Sequence, residues 1–194
     1  MTKIALLQGH PDPAGGHLCH ALAESYLDGA WHAGHEIANI DVAALEFPLL
    51  RTQADWHRGQ GATPPGLLTA QQQCVDAQHI VIVFPLWLGT LPALLKGFFE
   101  QAFRPGVALS YGESLPAPLF KGKSARIVVT MGMPSIAHRL YYRAHGVKNL
   151  ERSILRFAGV KPVRTSLFGM VEQRPDTRRQ AWLTTMRRLG QRAV

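Results

Sequence analysis

Three short stretches of this 194-residue chain combine residue types that could do chemistry. In GHPDPAGGH, residues 9–17, His10 and His17 bracket two prolines, an Asp and the pair Gly15–Gly16. An apolar run ends before this stretch and a helical pattern begins after it. Free backbone N–H groups and the positive end of a helix dipole would gather there, and the glycines would let an anion approach the backbone. The same residues would also serve as a plain strand-to-helix connection. In FPLWLGTLPALLKGFFEQAF, residues 84–103, the bulky run Pro85, Leu86, Trp87 and Leu88 is no ordinary polar loop. It offers stacking area for a flat conjugated ring, or apolar surface for a neighbouring subunit. In VVTMGMPSIAHRLYYRAHG, residues 128–146, Tyr142 and His145 stand three apart, a spacing that would put both on one face of a helix, where they could reach a common substrate or serve as ordinary packing residues.

The elements that must position these residues are legible as periodicity. Apolar runs rich in β-branched residues at 3–8, 35–41, 79–84, 124–130 and 163–168 have the length and flanks of buried parallel strands. Helical patterns occupy 17–33, 66–77, 91–103, 145–158 and 175–192. Strict alternation with right-handed crossovers predicts an α/β fold: one doubly wound five-stranded parallel sheet in the flavodoxin-like order 2-1-3-4-5, helices on both faces, one domain over 1–194. Such sheets bind ligands beyond the carboxyl ends of their strands, where the winding direction reverses. That places the loops after Gln8, Phe84 and Thr130 together at one ligand.

Composition narrows the class. Hydrophobic residues at 46% and charged residues at 18% suit a globular core, and no apolar run is long enough to span a membrane. The N-terminal apolar run ends in His-Pro-Asp-Pro, which reads as a first strand rather than an export signal. Two cysteines, Cys19 and Cys74, have no ligand spacing between them and fit a reducing cytoplasm. The net charge of +8 is uneven: residues 1–120 hold 5 Lys and Arg against 10 Asp and Glu, residues 121–194 hold 16 against 3. The basic residues are dispersed without aromatic interleaving, so a solvated face is expected rather than a nucleic-acid site. The first loop is neither G-x-x-x-x-G-K-S/T nor G-x-G-x-x-G, which excludes a P-loop and a dinucleotide fingerprint.

The second stretch resembles the F-P-L-x-W-x-x-x-P-A-x-L-K-G-W segment of the NAD(P)H:quinone oxidoreductases, a flavodoxin-like family that includes DT-diaphorase. The first stretch is similar to that family's H-P-x-x-x-S-F/L-N-x-A-L phosphate loop, and VTMGMP stands at its T-T-G-G position. The resemblance implies that His10, Gly15, Gly16 and His17 hold a flavin phosphate and that Pro85, Leu86, Trp87 and Leu88 line the flavin ring. It places Thr130, Met131, Gly132 and Met133 at the ring's pyrimidine side, and gives Tyr142 and His145 the catalytic role in hydride transfer and quinone binding. The chain departs from the pattern at Gly15 and His17, which stand where the family has Ser and Asn, and at Leu88, where many relatives have Trp. His145–Gly146 matches a family His-Gly pair, but the Tyr lies closer to it here, so Tyr141 competes with Tyr142.

The implied reaction takes hydride from NAD(P)H to a quinone or similar acceptor through bound flavin, FAD or FMN. No metal and no nucleic acid are implied, and the expected partner is a second copy of the chain. The segment 103–122, long and apolar for a connection, is expected to belong to that dimer. A one-electron carrier and an ancillary flavin-binding subunit of a potassium-efflux-type transporter are the alternatives. The positive charge balance speaks against the carrier.

Overall fold

The computed structural model describes residues 1–111 and 116–194. Strands β1 (Lys3–Gln8), β2 (Glu36–Asp41), β3 (His79–Pro85), β6 (Ser124–Met131) and β7 (Val163–Gly169) form one sheet in the order β2-β1-β3-β6-β7, and every pairing is parallel. Counting these five strands alone, this is the order 2-1-3-4-5. A two-residue hairpin, β4 (Leu109–Ser110) with β5 (Ala117–Pro118), stands apart from the sheet.

Both faces of the sheet are covered, which explains why its strands read as continuous apolar runs instead of alternating ones. Along β1 and β3, Ile4, Leu6, Val81 and Val83 pack on one side with Cys19, Leu22 and Tyr26 of α1 (Leu18–His32) and Trp182 and Met186 of α7 (Asp176–Arg192). Ala5, Leu7, Ile80 and Ile82 pack on the other with α3 (Leu68–Asp76) and α4 (Ala93–Ala102), through Ala70, Cys74, Leu95 and Phe98. The period of two along each strand thus sorts its residues between two cores.

Several elements differ from the sequence expectation. The segment between β2 and α3 contains a short helix α2 (Gln53–His57) and three 3₁₀ turns. Arg104, 1% exposed, ties α2 down by donating to the Asp55 carbonyl at 2.6 Å and to Gln101 Oε1. The helix expected over 145–158 is α6 (His145–Asn149) followed by a π-helical turn, Leu150–Arg156. Ahead of it lies α5 (Ser135–Leu140). In the 103–122 segment, Phe103, Val107, Ala108, Leu109 and Phe120 are buried in the chain's own core, while Tyr111 and Leu119 are exposed. Residues 112–115 of that segment lie outside the described residues. Among the described residues no helix is long and apolar enough to cross a membrane.

Candidate functional site

A cleft of about 660 Å³ opens at the carboxyl ends of β1, β3 and β6. His10, Gly16 and His17 line it from the β1–α1 loop, Pro85, Leu86 and Trp87 from the β3–α4 loop, and Thr130, Met131 and Gly132 from the end of β6. All three stretches singled out in the sequence therefore meet in one cavity.

The first loop is held by its own polar groups. The Asp12 amide donates to His10 Nδ1 at 3.2 Å, and the Ala14 amide donates to Asp12 Oδ1 at 2.9 Å. Asp12 Oδ2 lies 2.8 Å from His17 Nε2, an interaction that lowers the Asp12 carboxyl below its usual range. Gly15 and Gly16 have φ of +75° and +77°, conformations that favour glycine, and nothing lies within 4 Å of a Cβ built on either. The glycines are thus required by backbone conformation, and the space beside them is open. At the start of α1, His17 makes no side-chain cap hydrogen bond, and Leu18, Cys19 and Ala21 line the cleft. An uncapped helix start beside an open glycine turn presents amides to an anion.

His10 is 8% exposed and faces the cleft. Burial, with His17 and His20 close by, pushes its pKa down. Because Nδ1 accepts an amide, the neutral ring carries its proton on Nε2, which has no acceptor among the described residues. A neutral N–H donor beside a polar cavity fits a phosphate oxygen. The residues present thus suit a flavin phosphate at this end.

The second loop is a rigid corner. Trp87 and Thr90 exchange two backbone hydrogen bonds of 2.9 and 3.0 Å around Leu88 and Gly89, whose φ values are +48° and +81°. Positive φ at both central residues marks the mirror-image turn of tight hairpins. The Leu86 amide donates to the Thr130 carbonyl at 2.8 Å. The amides of Leu86 and Trp87 are therefore spent inside the protein, and the loop gives the cleft surface from these residues instead of those two donors. Trp87 is 51% exposed, leaving ring area for stacking.

At the end of β6, Thr130 Oγ1 lies 3.0 Å from Cys19 Sγ, joining the start of α1 to the third loop. Burial pushes the Cys19 thiol up to about 12, so it stays protonated.

Five of the residues singled out do not line this cleft: Gly15, Leu88, Met133, Tyr142 and His145. Leu88 lies instead in a neighbouring apolar depression with Trp87, Leu91 and Asn149. Met133 packs against the core, and its carbonyl accepts from Met170 N–H at 3.1 Å. Tyr142 and His145 do not share a helical face, because Arg143 and Ala144 between them have φ of +51° and +50° and break the chain into a turn. Both are exposed, as is Tyr141. The turn is nevertheless held against the second loop: a Cβ on Gly146 would come within 2.1 Å of the Gly89 carbonyl oxygen.

Sequence reasoning did not anticipate the fourth side of the cleft. Val171 and Glu172 follow β7, and Arg179 comes from α7. Arg179 donates to the Val171 and Glu172 carbonyls at 3.2 and 3.4 Å and to Asp176 at 3.3 Å. The only available signal was their position after the fifth strand, one place beyond the switch point.

Residues 2–192 match a family described as having a flavodoxin-like fold. Among similar proteins, NAD(P)H dehydrogenase (quinone) 1 of Cavia porcellus is 25% identical over 184 residues, covering 82% of this chain and 66% of that protein. The chain thus spans about two thirds of that relative's length. FMN-dependent NADH:quinone oxidoreductase 3 of Bacillus cereus is 27% identical over 177 residues, covering 82% of this chain and 83% of that protein. Among solved structures, Smu.1420 of Streptococcus mutans UA159 superposes with a TM-score of 0.82 at 23% identity, covering 97% of this chain and 98% of that one. The NAD(P)H:quinone oxidoreductase of Methanothermobacter marburgensis superposes with a TM-score of 0.80 at 21% identity, covering 98% of each chain. At these identities the superpositions show a shared fold.

Proposed function

Since the chain belongs to the flavodoxin-like fold family, we propose that it is a flavin-dependent NAD(P)H oxidoreductase that moves two electrons, as hydride, from NAD(P)H to a quinone or similar acceptor. The observation that carries this reading is the meeting of an open glycine turn at a helix start, the exposed Trp87 ring and the end of β6 in one cleft. The quinone-reductase names of the relatives in Cavia porcellus and Bacillus cereus support it.

A bound flavin, FMN or FAD, would supply the hydride-accepting and hydride-donating chemistry. The chain's own residues would hold and orient it. His10, Gly15, Gly16 and His17 take the phosphate, with Nε2–H of His10 as a neutral donor. Pro85, Leu86 and Trp87 fix the plane of the ring, and Thr130, Met131 and Gly132 border its polar edge. Tyr142 and His145, on a turn held against the Trp87–Thr90 corner, donate hydrogen bonds to the acceptor from the open side. Leu88 at 105% exposure, Tyr141 at 81% and Tyr142 at 52% leave apolar surface beside the cleft, which suits a second copy of the chain. The two free thiols, both buried, suit a reducing cytoplasm.

Anaerobic mixing of the purified protein with one equivalent of NADPH tests the reading. The expected result is bleaching of a flavin spectrum with no partner protein present, and recovery on adding one equivalent of quinone. Slow or absent bleaching, with reoxidation only in one-electron steps by a partner protein, would favour a carrier.

A further inference from the structure

Helix α5 is seated on the protein through one buried side chain, and that side chain is a histidine. His138 is the only buried residue of α5, at 1% exposure, and neither Nδ1 nor Nε2 of its ring has a hydrogen-bond partner among the described residues. The large apolar residues of α5, Ile136 and Leu140, are 66% and 73% exposed and add little packing. The start of α5 sits against the end of β7, where a Cβ on Gly169 would come within 2.5 Å of the Ser135 amide. Its end runs into the turn that carries Tyr142 and His145. The Tyr141 and Tyr142 amides donate to the Ala137 carbonyl at 2.9 and 3.3 Å, and the Ala144 amide donates to the His138 carbonyl at 2.9 Å. Arg143 and Ala144 in that turn hold positive φ, a strained conformation that persists only while the surrounding structure maintains it. An apolar side chain of similar volume would fill the place of the His138 ring without leaving two polar atoms unpaired. His138 therefore holds the segment more weakly than its burial suggests.

We infer that His138 is an acid-sensitive latch: it seats α5 and the Tyr142–His145 turn against the Trp87–Thr90 corner while its ring is neutral, and releases them when the ring takes a proton. The latch rests on the functional reading above only for what Tyr142 and His145 do, since the seating is a property of the chain itself.

The sign follows from linkage. Burial opposes a charged ring and pushes the His138 pKa below its ordinary 6.5, and burial is the sole influence on it. Of the elements packed on α5, β7 ends in Phe168 and Gly169 and is followed by Met170 and Val171, none of which titrates. Glu172 and Arg174 beyond them are exposed, as are Arg139 of α5 and Tyr141, Tyr142, Arg143 and His145 of the turn. Gly89 and Thr90, against which Gly146 rests, carry no ionisable group. In the released segment the His138 ring meets water and takes a proton near pH 6.5. Seating is thus complete above about pH 6.5 and weakens as pH falls towards the lower pKa of the seated ring. One proton changes the ratio of released to seated segment by at most about tenfold for each pH unit in that window.

The test is hydrogen exchange of the whole chain as purified, read at the Tyr141, Tyr142 and Ala144 amides and corrected for intrinsic exchange rates, at about pH 7.5 and about pH 5.5. The expected result is a several-fold loss of protection at the lower pH, with about tenfold as the ceiling. His138→Leu should raise protection at the higher pH and flatten the slope. His138→Gln, polar but not titratable, should flatten the slope without raising protection, and it decides the question alone if His138→Leu fails to fold. Protonation of His79 weakens the whole chain in acid equally in the native protein and in both variants, so the difference in slope between them isolates the latch. A slope in the native protein no steeper than in the variants overturns the latch and leaves the flavin reading intact. A steeper slope in a protein that binds no flavin supports the latch and removes the role given to Tyr142 and His145.

Discussion

The imidazole rings of His10 and His17 lie parallel within 16°, at opposite ends of a turn that carries two prolines and a glycine pair. This stack brings the residue leaving β1 against the residue entering α1 and sets the width of the turn between them. The glycines are what allow it. Gly16→Ala forces a side chain into a positive-φ position, and about 1 kcal/mol or more of strain is expected. Flavin affinity should fall, while thermal unfolding of the flavin-free protein shifts by only a few degrees. An unfolded variant would show instead that the turn is needed for the fold.

Gly146 tests how the Tyr142–His145 turn is held. A Cβ there meets the Gly89 carbonyl oxygen at 2.1 Å and Thr90 Cα at 2.7 Å, both backbone atoms that have little room to give. Gly146→Ala should cost about 1–3 kcal/mol in chemical denaturation. It should also lower turnover by moving the turn away from the Trp87–Thr90 corner.

His145 itself is exposed on that turn. His145→Gln is expected to lower kcat by about 10²-fold with flavin retention unchanged. Steady-state kinetics beside flavin stoichiometry distinguish this from a structural role, in which both readouts would fall together.

Leu88 presents the opposite case, a bulky residue fully exposed at φ +48°. Asn or Gly adopts that conformation more readily, so Leu88→Asn should raise stability by about 1 kcal/mol. The cost should appear as weaker self-association or slower quinone reduction, if the side chain is kept for the surface it presents. Sedimentation and thermal unfolding of the same variant report both effects.

His79 sets an acid limit on stability. Its ring is 1% exposed, Nδ1 bonds to Ser124 Oγ at 2.7 Å, and burial with Arg126 and Arg164 nearby pushes its pKa down to about 4. The unfolded chain binds a proton near pH 6.5 and the native chain does not. The stability contribution is therefore complete above about pH 6.5 and falls away as pH drops towards 4, by roughly 3 kcal/mol. Denaturation midpoints against pH should show this slope, and His79→Gln should flatten it.

The sheet was legible in the sequence because both faces are covered. Buried runs such as Ile80–Phe84 need no polar alternation, and their bounding residues mark the ends. The three loops were legible because a parallel sheet sends its carboxyl ends to one side. What escaped the sequence has local physical causes. Leu88–Gly89 forms a mirror-image turn with a residue that disfavours it, so no turn signal was present. Arg143 and Ala144, both at positive φ, turn an apparent helical face into a corner. The short α2, Gln53–His57, has no buried residues and hence no hydrophobic period; it depends on Arg104, 49 residues beyond Asp55 along the chain. Arg179 reaches the cleft from a helix whose arginines otherwise read as a solvated face.

Native mass spectrometry of the purified protein tests the central claim most directly. One flavin per chain is predicted, lost on unfolding and restored by adding FMN or FAD to the refolded protein. A bare chain that takes up neither flavin would contradict the account, whatever the similarity of its fold to flavin enzymes.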